Sequence, residues 1–174
     1  MIKKSYEVKN SLNKNSIFLI YGDNEGLKED IIAEITTNYS PENIFKYSEK
    51  EIFNNLENFY NNIFSQSFFN NKKIILINDI TEKFKKEIEE ILEKKIKDVV
   101  IVMLSKALEK KSKIRNYFEK EKRLVCVPVY KDDYKTLFNI AHIFFKSKKI
   151  MVSNESINFI IERSSEDRKN LKNE

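Results

Sequence analysis

The sequence predicts an α/β fold: a largely parallel sheet with helices on both faces, followed by a small all-helical region. Three observations lead there. Apolar runs of strand length alternate with stretches of helical period, as parallel strands joined by crossover helices require. The run Val99–Leu104 is apolar throughout, which suits a strand covered on both sides of a sheet. After Pro128 the strand-length runs stop, and from Asp132 onward only helical periodicity remains.

Ile17–Tyr21 supplies the first strand, and Leu27, Ile31, Ile32 and Ile35 behind it form one apolar helical stripe. Asn43–Tyr47 is the second strand. Ser48-Glu-Lys-Glu51 has the spacing of a capping box, and Ile52, Leu56, Phe59, Tyr60 and Ile63 continue behind it at helical spacing. Lys73–Ile77 is the third strand, followed by Asn78-Asp79 and a helix with Phe84, Ile88, Ile91 and Leu92 on one side. Val99–Leu104 is the buried central strand, Ser112–Lys120 a short helix, and Leu124–Val127 the last strand, closed by Pro128. Leu137, Ile140, Ala141, Phe144 and Phe145 then mark one helix. Ser153 caps the next, which carries Ile157, Ile160 and Ile161, and a further helix begins near Asp167. The domains are therefore expected at 1–130 (α/β) and 131–174 (helical).

Composition narrows the function. No apolar run is long enough to cross a bilayer, and Met1-Ile-Lys-Lys-Ser5 does not lead into a signal-peptide apolar stretch, so a cytoplasmic protein with no membrane partner is expected. Cys126 is the one cysteine and His142 the one histidine, too few for a disulfide framework or a structural zinc site. Cys126 reads as a small buried hydrophobe and His142 as a surface or edge-of-core helix residue. The net charge of +5 comes mostly from lysines interleaved with Glu. Arg is confined to positions 115, 123, 163 and 168, so the fork geometry that favours phosphate and guanine is scarce.

The turn after the first strand, Gly22-Asp-Asn-Glu-Gly26-Leu27-Lys28, has the position of a phosphate loop without its chemistry. A working loop reads G-x-x-x-x-G-K-[ST], because its amides curl round phosphates, its Lys neutralises them and its hydroxyl reaches Mg²⁺. Here Leu27 separates Gly26 from Lys28, Glu29 replaces the hydroxyl, and Asp23 and Glu25 bring negative charge. After the third strand, Asn78-Asp79 stands where a hydrolytic site would carry tandem carboxylates. No catalytic residue, cofactor or metal is expected.

Two surface features stand out. Phe68 and Phe69 are adjacent and flanked by Ser65, Gln66, Ser67, Asn70 and Asn71. Neighbouring side chains point to opposite sides of a strand and diverge by about 100° on a helix, so at least one ring is exposed unless the loop folds back. Phe68 alternatively extends the stripe through Ile63 and Phe64 into the core. The second feature is the basic stretch Lys106, Lys110, Lys111, Lys113 and Arg115, a DNA-facing surface or a solvated helix start.

Taken in order, these segments resemble the delta subunit of bacterial DNA polymerase III, the clamp-loader component that binds and opens the sliding clamp. Tyr21-Gly-Asp-Asn-Glu-Gly-Leu27 is similar to that family's first strand and degenerate loop. Gln66-Ser-Phe-Phe69 before Lys72-Lys-Ile-Ile-Leu-Ile77 is similar to its clamp-contacting segment. Ala107-Leu-Glu-Lys-Lys-Ser-Lys-Ile114 resembles its lysine-rich stretch, and Ile150-Met-Val-Ser153 and Asp167–Glu174 resemble its helical second domain. The resemblance implies an AAA+-like sheet domain without ATPase activity and a small helical lid. It also implies a helical collar domain absent here, so that the chain would be a partial delta subunit.

Implied partners are the sliding clamp through Gln66, Ser67, Phe68 and Phe69, and other loader subunits through the missing collar. Primed DNA within the assembled loader is a third, with Lys110, Lys111, Lys113 and Arg115 facing it. The sister subunits' cysteine zinc site and Ser-Arg-Cys motif have no counterpart in a chain with Cys126 alone. The rival functions are a P-loop nucleotide-binding enzyme and a Lys-rich DNA-binding module.

Overall fold

The computed structural model describes residues 1–12, 16–64, 72–94, 96 and 98–174. Each long apolar run becomes a strand: β1 (Ile17–Gly22), β2 (Ile44–Ser48), β3 (Lys73–Asn78), β4 (Val99–Ser105) and β5 (Leu124–Val129). They form one sheet in the order β2-β3-β4-β1-β5. Pairing is parallel, with Ile17 opposite Ile101, Lys73 opposite Val99 and Ile44 opposite Ile74. The helices are α1 (Val8–Ser11), α2 (Glu25–Thr36), α3 (Glu49–Asn54), α4 (Leu56–Phe64), α5 (Lys85–Glu93) and α6 (Lys113–Lys120), then α7 (Tyr134–Ser147), α8 (Asn154–Arg163) and α9 (Arg168–Asn173).

Because side chains alternate across a strand, each central strand is apolar on both faces. Leu19, Ile75, Ile77, Ile101 and Met103 join Ile52, Phe59, Ile88, Ile91 and Phe118 in one core cluster. Phe18, Ile20, Ile74 and Val102, between them along the strands, are also buried. Burying each such side chain contributes roughly 1.5–3 kcal/mol. Phe59 and Phe84 meet edge-on with centroids 6.1 Å apart, the arrangement that ring quadrupoles favour.

Three local expectations are corrected. The stripe from Ile52 to Ile63 is not one helix: Asn55 leaves helical geometry (φ −151°, ψ 70°) and its side chain accepts the Asn58 N–H at 3.1 Å, capping α4 separately. The Ser48/Glu51 capping box before α3 forms as expected, Ser48 N–H to Glu51 Oε2 at 2.6 Å and Glu51 N–H to Ser48 Oγ at 3.2 Å. Pro128 does not close the last strand, which runs on to Val129. Cys126, two residues earlier on the same side, bonds the N-terminal segment at Met1 O and Lys3 N, both at 2.9 Å. Pro128 therefore turns its missing N–H to the sheet edge, where proline is tolerated. Phe144, placed on the apolar stripe of its helix, is 53% exposed.

The chain divides into two units, Met1–Gly22 with Ile31–Pro128, and Asp23–Asp30 with Val129–Glu174. In the second unit α7, α8 and α9 bury Leu137, Ala141, Ile157, Ile161 and Leu171 together. Each helix has a side-chain cap: Asp133 accepts Thr136 N–H at 2.7 Å, Ser153 accepts Ser156 N–H at 3.2 Å, and Asp167 accepts Asn170 N–H at 2.9 Å. Among the described residues no helix is long and apolar enough to cross a membrane.

Candidate functional site

Ligands of open α/β sheets bind outside the carboxyl ends of the strands, where the direction of the connections reverses. β1 sits at that point between β4 and β5, so the turn Gly22–Lys28 holds the position of a phosphate loop. Gly22 has φ 140°, where an L side chain would be strained. Asn24 then caps α2, its Oδ1 accepting the Leu27 N–H at 2.9 Å, which satisfies an amide that phosphate would otherwise meet. Its Nδ2 donates to Tyr130 O and to Asp132 Oδ2, both at 2.8 Å.

The charges of the turn are met internally. Lys28 Nζ lies 2.7 Å from Glu25 Oε1 and its side chain is 5% exposed, so the lysine best placed for a phosphate is buried against a carboxylate. Gly26 marks a close approach: a Cβ there would come within 2.7 Å of Lys169 N and 2.9 Å of Arg168 Cγ. The first residues of α9 thus cover the turn. Arg168 Nη1 bonds Asp30 Oδ2 at 3.1 Å, and Arg168 Nε lies 2.9 Å from Asp132 Oδ2. The second contact is an ion pair whose alignment is not that of a hydrogen bond.

Lys169 pairs with Glu29 at 2.7 Å, which holds its ammonium above the ordinary lysine range through that hydrogen bond and the carboxylate's charge. Lys172 also pairs with Asp30. The Lys169–Glu29 pair is solvent-exposed, so water and salt screen it. The Arg168 and Asp132 side chains are only 10% and 8% exposed, and removing one partner of a buried pair leaves a charge that costs about 3–5 kcal/mol.

At the end of β3, Asn78 and Asp79 are exposed, and Asp79 has φ 59°. The buried carboxylate nearby is Glu49, whose oxygens accept Thr81 N–H at 2.5 Å and the Thr81 hydroxyl at 2.7 Å. It fixes the loop rather than facing a ligand. Among the described residues no group of three His, Cys, Asp or Glu is placed to hold a metal.

After β4, Lys106, Lys110, Lys111 and Lys113 are exposed, while Arg115 is turned inward. Arg115 Nε bonds Glu119 at 2.7 Å, Nη1 bonds Leu108 O at 3.0 Å, and the guanidinium lies 5.1 Å from the Tyr21 ring centroid. Ser112 Oγ accepts Arg115 N–H at 3.2 Å and Glu82 accepts Ile114 N–H at 3.0 Å, so two amides at the start of α6 are capped. The other predicted site, Gln66, Ser67, Phe68 and Phe69, lies outside the described residues. Sequence reasoning missed Asp30, Asp132 and Arg168. Arg168 and Asp30 stand 138 positions apart, and neither belongs to a recognisable motif.

A family model, DNA polymerase III, delta subunit, matches residues 18–128. The chain belongs to this family. No curated protein sequence is significantly similar to it. Among solved structures, the delta-family chain is similar to the Bacillus subtilis DNA clamp loader delta protein, with TM-score 0.65 and 12% identity, over 97% of this chain and 56% of that one. It therefore spans little more than half the length of that relative. Domain III of the Thermotoga maritima replication initiation protein DnaA is also similar, with TM-score 0.53 and 16% identity, over 97% of this chain and 77% of that one. At these identities the likeness shows the fold, an AAA+-like parallel sheet flanked by helices.

Proposed function

We propose that this chain is the clamp-binding part of a clamp-loader delta subunit, which binds and opens the sliding clamp during DNA replication without hydrolysing ATP. The observation that carries the reading is the turn after β1: in a fold built to hold nucleotide, its lysine is paired with Glu25 and its surface is covered by Arg168 and Lys169. Membership of the delta family supplies the context. Residues 1–130 form the clamp-binding domain and 131–174 belong to a helical lid. Gln66, Ser67, Phe68 and Phe69 make the clamp contact, and other loader subunits and primed DNA are the further partners.

The chain should co-elute with a cognate sliding clamp in the absence of nucleotide. Phe68→Ala and Phe69→Ala should each weaken that binding by about 1–3 kcal/mol, chiefly through faster dissociation, with an unchanged melting temperature. Mg-ATP should leave the melting temperature unaltered, since a ligand of the folded state stabilises it. A folded chain that fails to bind clamp at moderate salt refutes the reading. A saturable rise in melting temperature with Mg-ATP would favour the P-loop enzyme instead.

A further inference from the structure

α4 ends at Phe64 and β3 begins at Lys73, and the two ends are braced against each other. Lys73 Nζ donates to Asn62 O at 3.5 Å, and Asn62 Nδ2 donates to the Tyr47 hydroxyl on β2 at 2.8 Å. The last turn of α4 is thus tied to both β2 and β3. Phe59, at the middle of the helix, is buried and meets Phe84.

A second brace comes from α5. Tyr60 and Phe64, one helical turn apart on α4, stack with ring centroids 5.8 Å apart and planes inclined by 11°. Lys94, at the C-terminal end of α5, sets its ammonium over both rings, 4.8 Å from the Tyr60 centroid and 5.2 Å from that of Phe64. The Tyr60 hydroxyl donates to Glu87, a residue only 7% exposed. Burial and that carboxylate hold the Tyr60 phenol above its ordinary range. Both rings are half-buried at the edge of the core and Lys94 is exposed, so the cation adds little burial. What it fixes is direction: any turn of the helix end about its axis moves a ring off the ammonium that attracts it.

We infer that Tyr60, Phe64 and Lys94 are positioning residues for clamp binding, which fix the direction in which the chain leaves α4 towards Gln66, Ser67, Phe68 and Phe69. The inference rests on the proposed clamp contact through those four residues. A binding segment whose starting point is fixed loses less freedom on docking. One that is competent only part of the time binds with an apparent affinity reduced by that fraction. Loss of a positioning residue therefore slows association, whereas loss of a contact chiefly speeds dissociation.

The test is surface plasmon resonance of the chain on an immobilised cognate sliding clamp. Lys94→Met keeps the length of the side chain and removes its charge. It should lower the association rate about three- to tenfold with dissociation unchanged, the scale of a cation shared by two rings. Phe64→Leu should act in the same direction, and Lys94→Arg should restore most of the rate. Lys86→Met removes the same charge from an exposed position on α5 and should leave the rate unaltered. In the free chain, amide exchange at 61–64 should quicken in Lys94→Met. Unchanged exchange there, or association at the wild-type rate, would overturn the inference, as would a change confined to dissociation, which would make Lys94 a clamp contact. An equal loss in Lys86→Met that disappears at high salt would assign the effect to charge steering and overturn it too. A folded wild-type chain without clamp affinity refutes the clamp reading and takes this inference with it. A wild type that binds and a Lys94→Met variant that binds identically refute this inference alone.

Discussion

Gly26→Ala is the sharpest probe of the covered turn, because two effects of known size oppose each other at one atom. Gly26 is the second residue of α2, and in an open helix alanine would stabilise by up to about 1 kcal/mol. Here the new Cβ would stand 2.7 Å from Lys169 N, a backbone atom that no rotamer change can remove, and 2.9 Å from Arg168 Cγ. Restoring an ordinary contact, which begins at 3.4 Å, takes a displacement of about 0.7 Å. That movement would disturb the 2.9 Å Arg168–Asp132 pair, which the same helix start supplies. Overpacking of this kind costs about 1–3 kcal/mol, so after the helix-propensity gain the net expectation is a loss of about 0–3 kcal/mol. Urea denaturation reads the magnitude, and hydrogen exchange at the amides of 168–173 reads the place, which should lose protection first. A variant that gains stability, with those amides as protected as before, would show that α9 does not rest on the turn.

Two further outcomes follow from the backbone and the core. Lys149 has φ 57° just after α7, where Ile150 N–H bonds Phe145 O at 3.0 Å to close the helix end. Lys149→Gly should therefore raise stability by about 0.5–1 kcal/mol in urea denaturation, the relief of left-handed strain outweighing the greater freedom of the unfolded glycine. Burial pushes the Cys126 thiol from its ordinary 9.0 up to about 12. Between those values the unfolded chain releases a proton that the folded chain keeps, so stability should fall as pH rises from about 9 and the thiol should make no difference below it. Cys126→Ala should remove that part of the alkaline slope in melting temperature, and a slope unaltered by the substitution would contradict the burial argument.

The strands were legible because continuous apolar runs such as Val99–Leu104 leave a buried strand as the simplest arrangement. The places where the sequence misleads are those where two local signals compete. Ile52, Leu56 and Phe59 keep helical spacing across Asn55, yet the Asn55 side chain offers a cap and the helix restarts. Pro128 looks like a stop, but a parallel strand turns alternate residues outward, and at an edge the missing N–H has no partner to deprive. Arg115 counts as a surface cation in any tally of charge. The structure instead places its guanidinium on Glu119, four residues along the same helix, and on Leu108 O, a loop carbonyl seven residues back that no residue pattern marks as an acceptor. Phe68 and Phe69 were singled out by adjacency and resemblance, and they lie outside the described residues.

The loss of phosphate chemistry in the turn and the seating of α9 on it are one change seen from two sides. A phosphate loop needs a free lysine, free amides and open space above its glycines. In this chain Glu25 neutralises Lys28, Asn24 takes an amide, and Gly26, having no side chain, admits the backbone of Lys169. Two further acidic residues, on the helix that follows the loop, receive the cations of α9: Glu29 binds Lys169, and Asp30 binds Arg168 and Lys172. Restoring a hydroxyl at position 29 would therefore remove a partner of Lys169 without uncovering Gly26. On the proposed reading, packing as well as motif opposes nucleotide binding, and a single reversion in the loop should not create it.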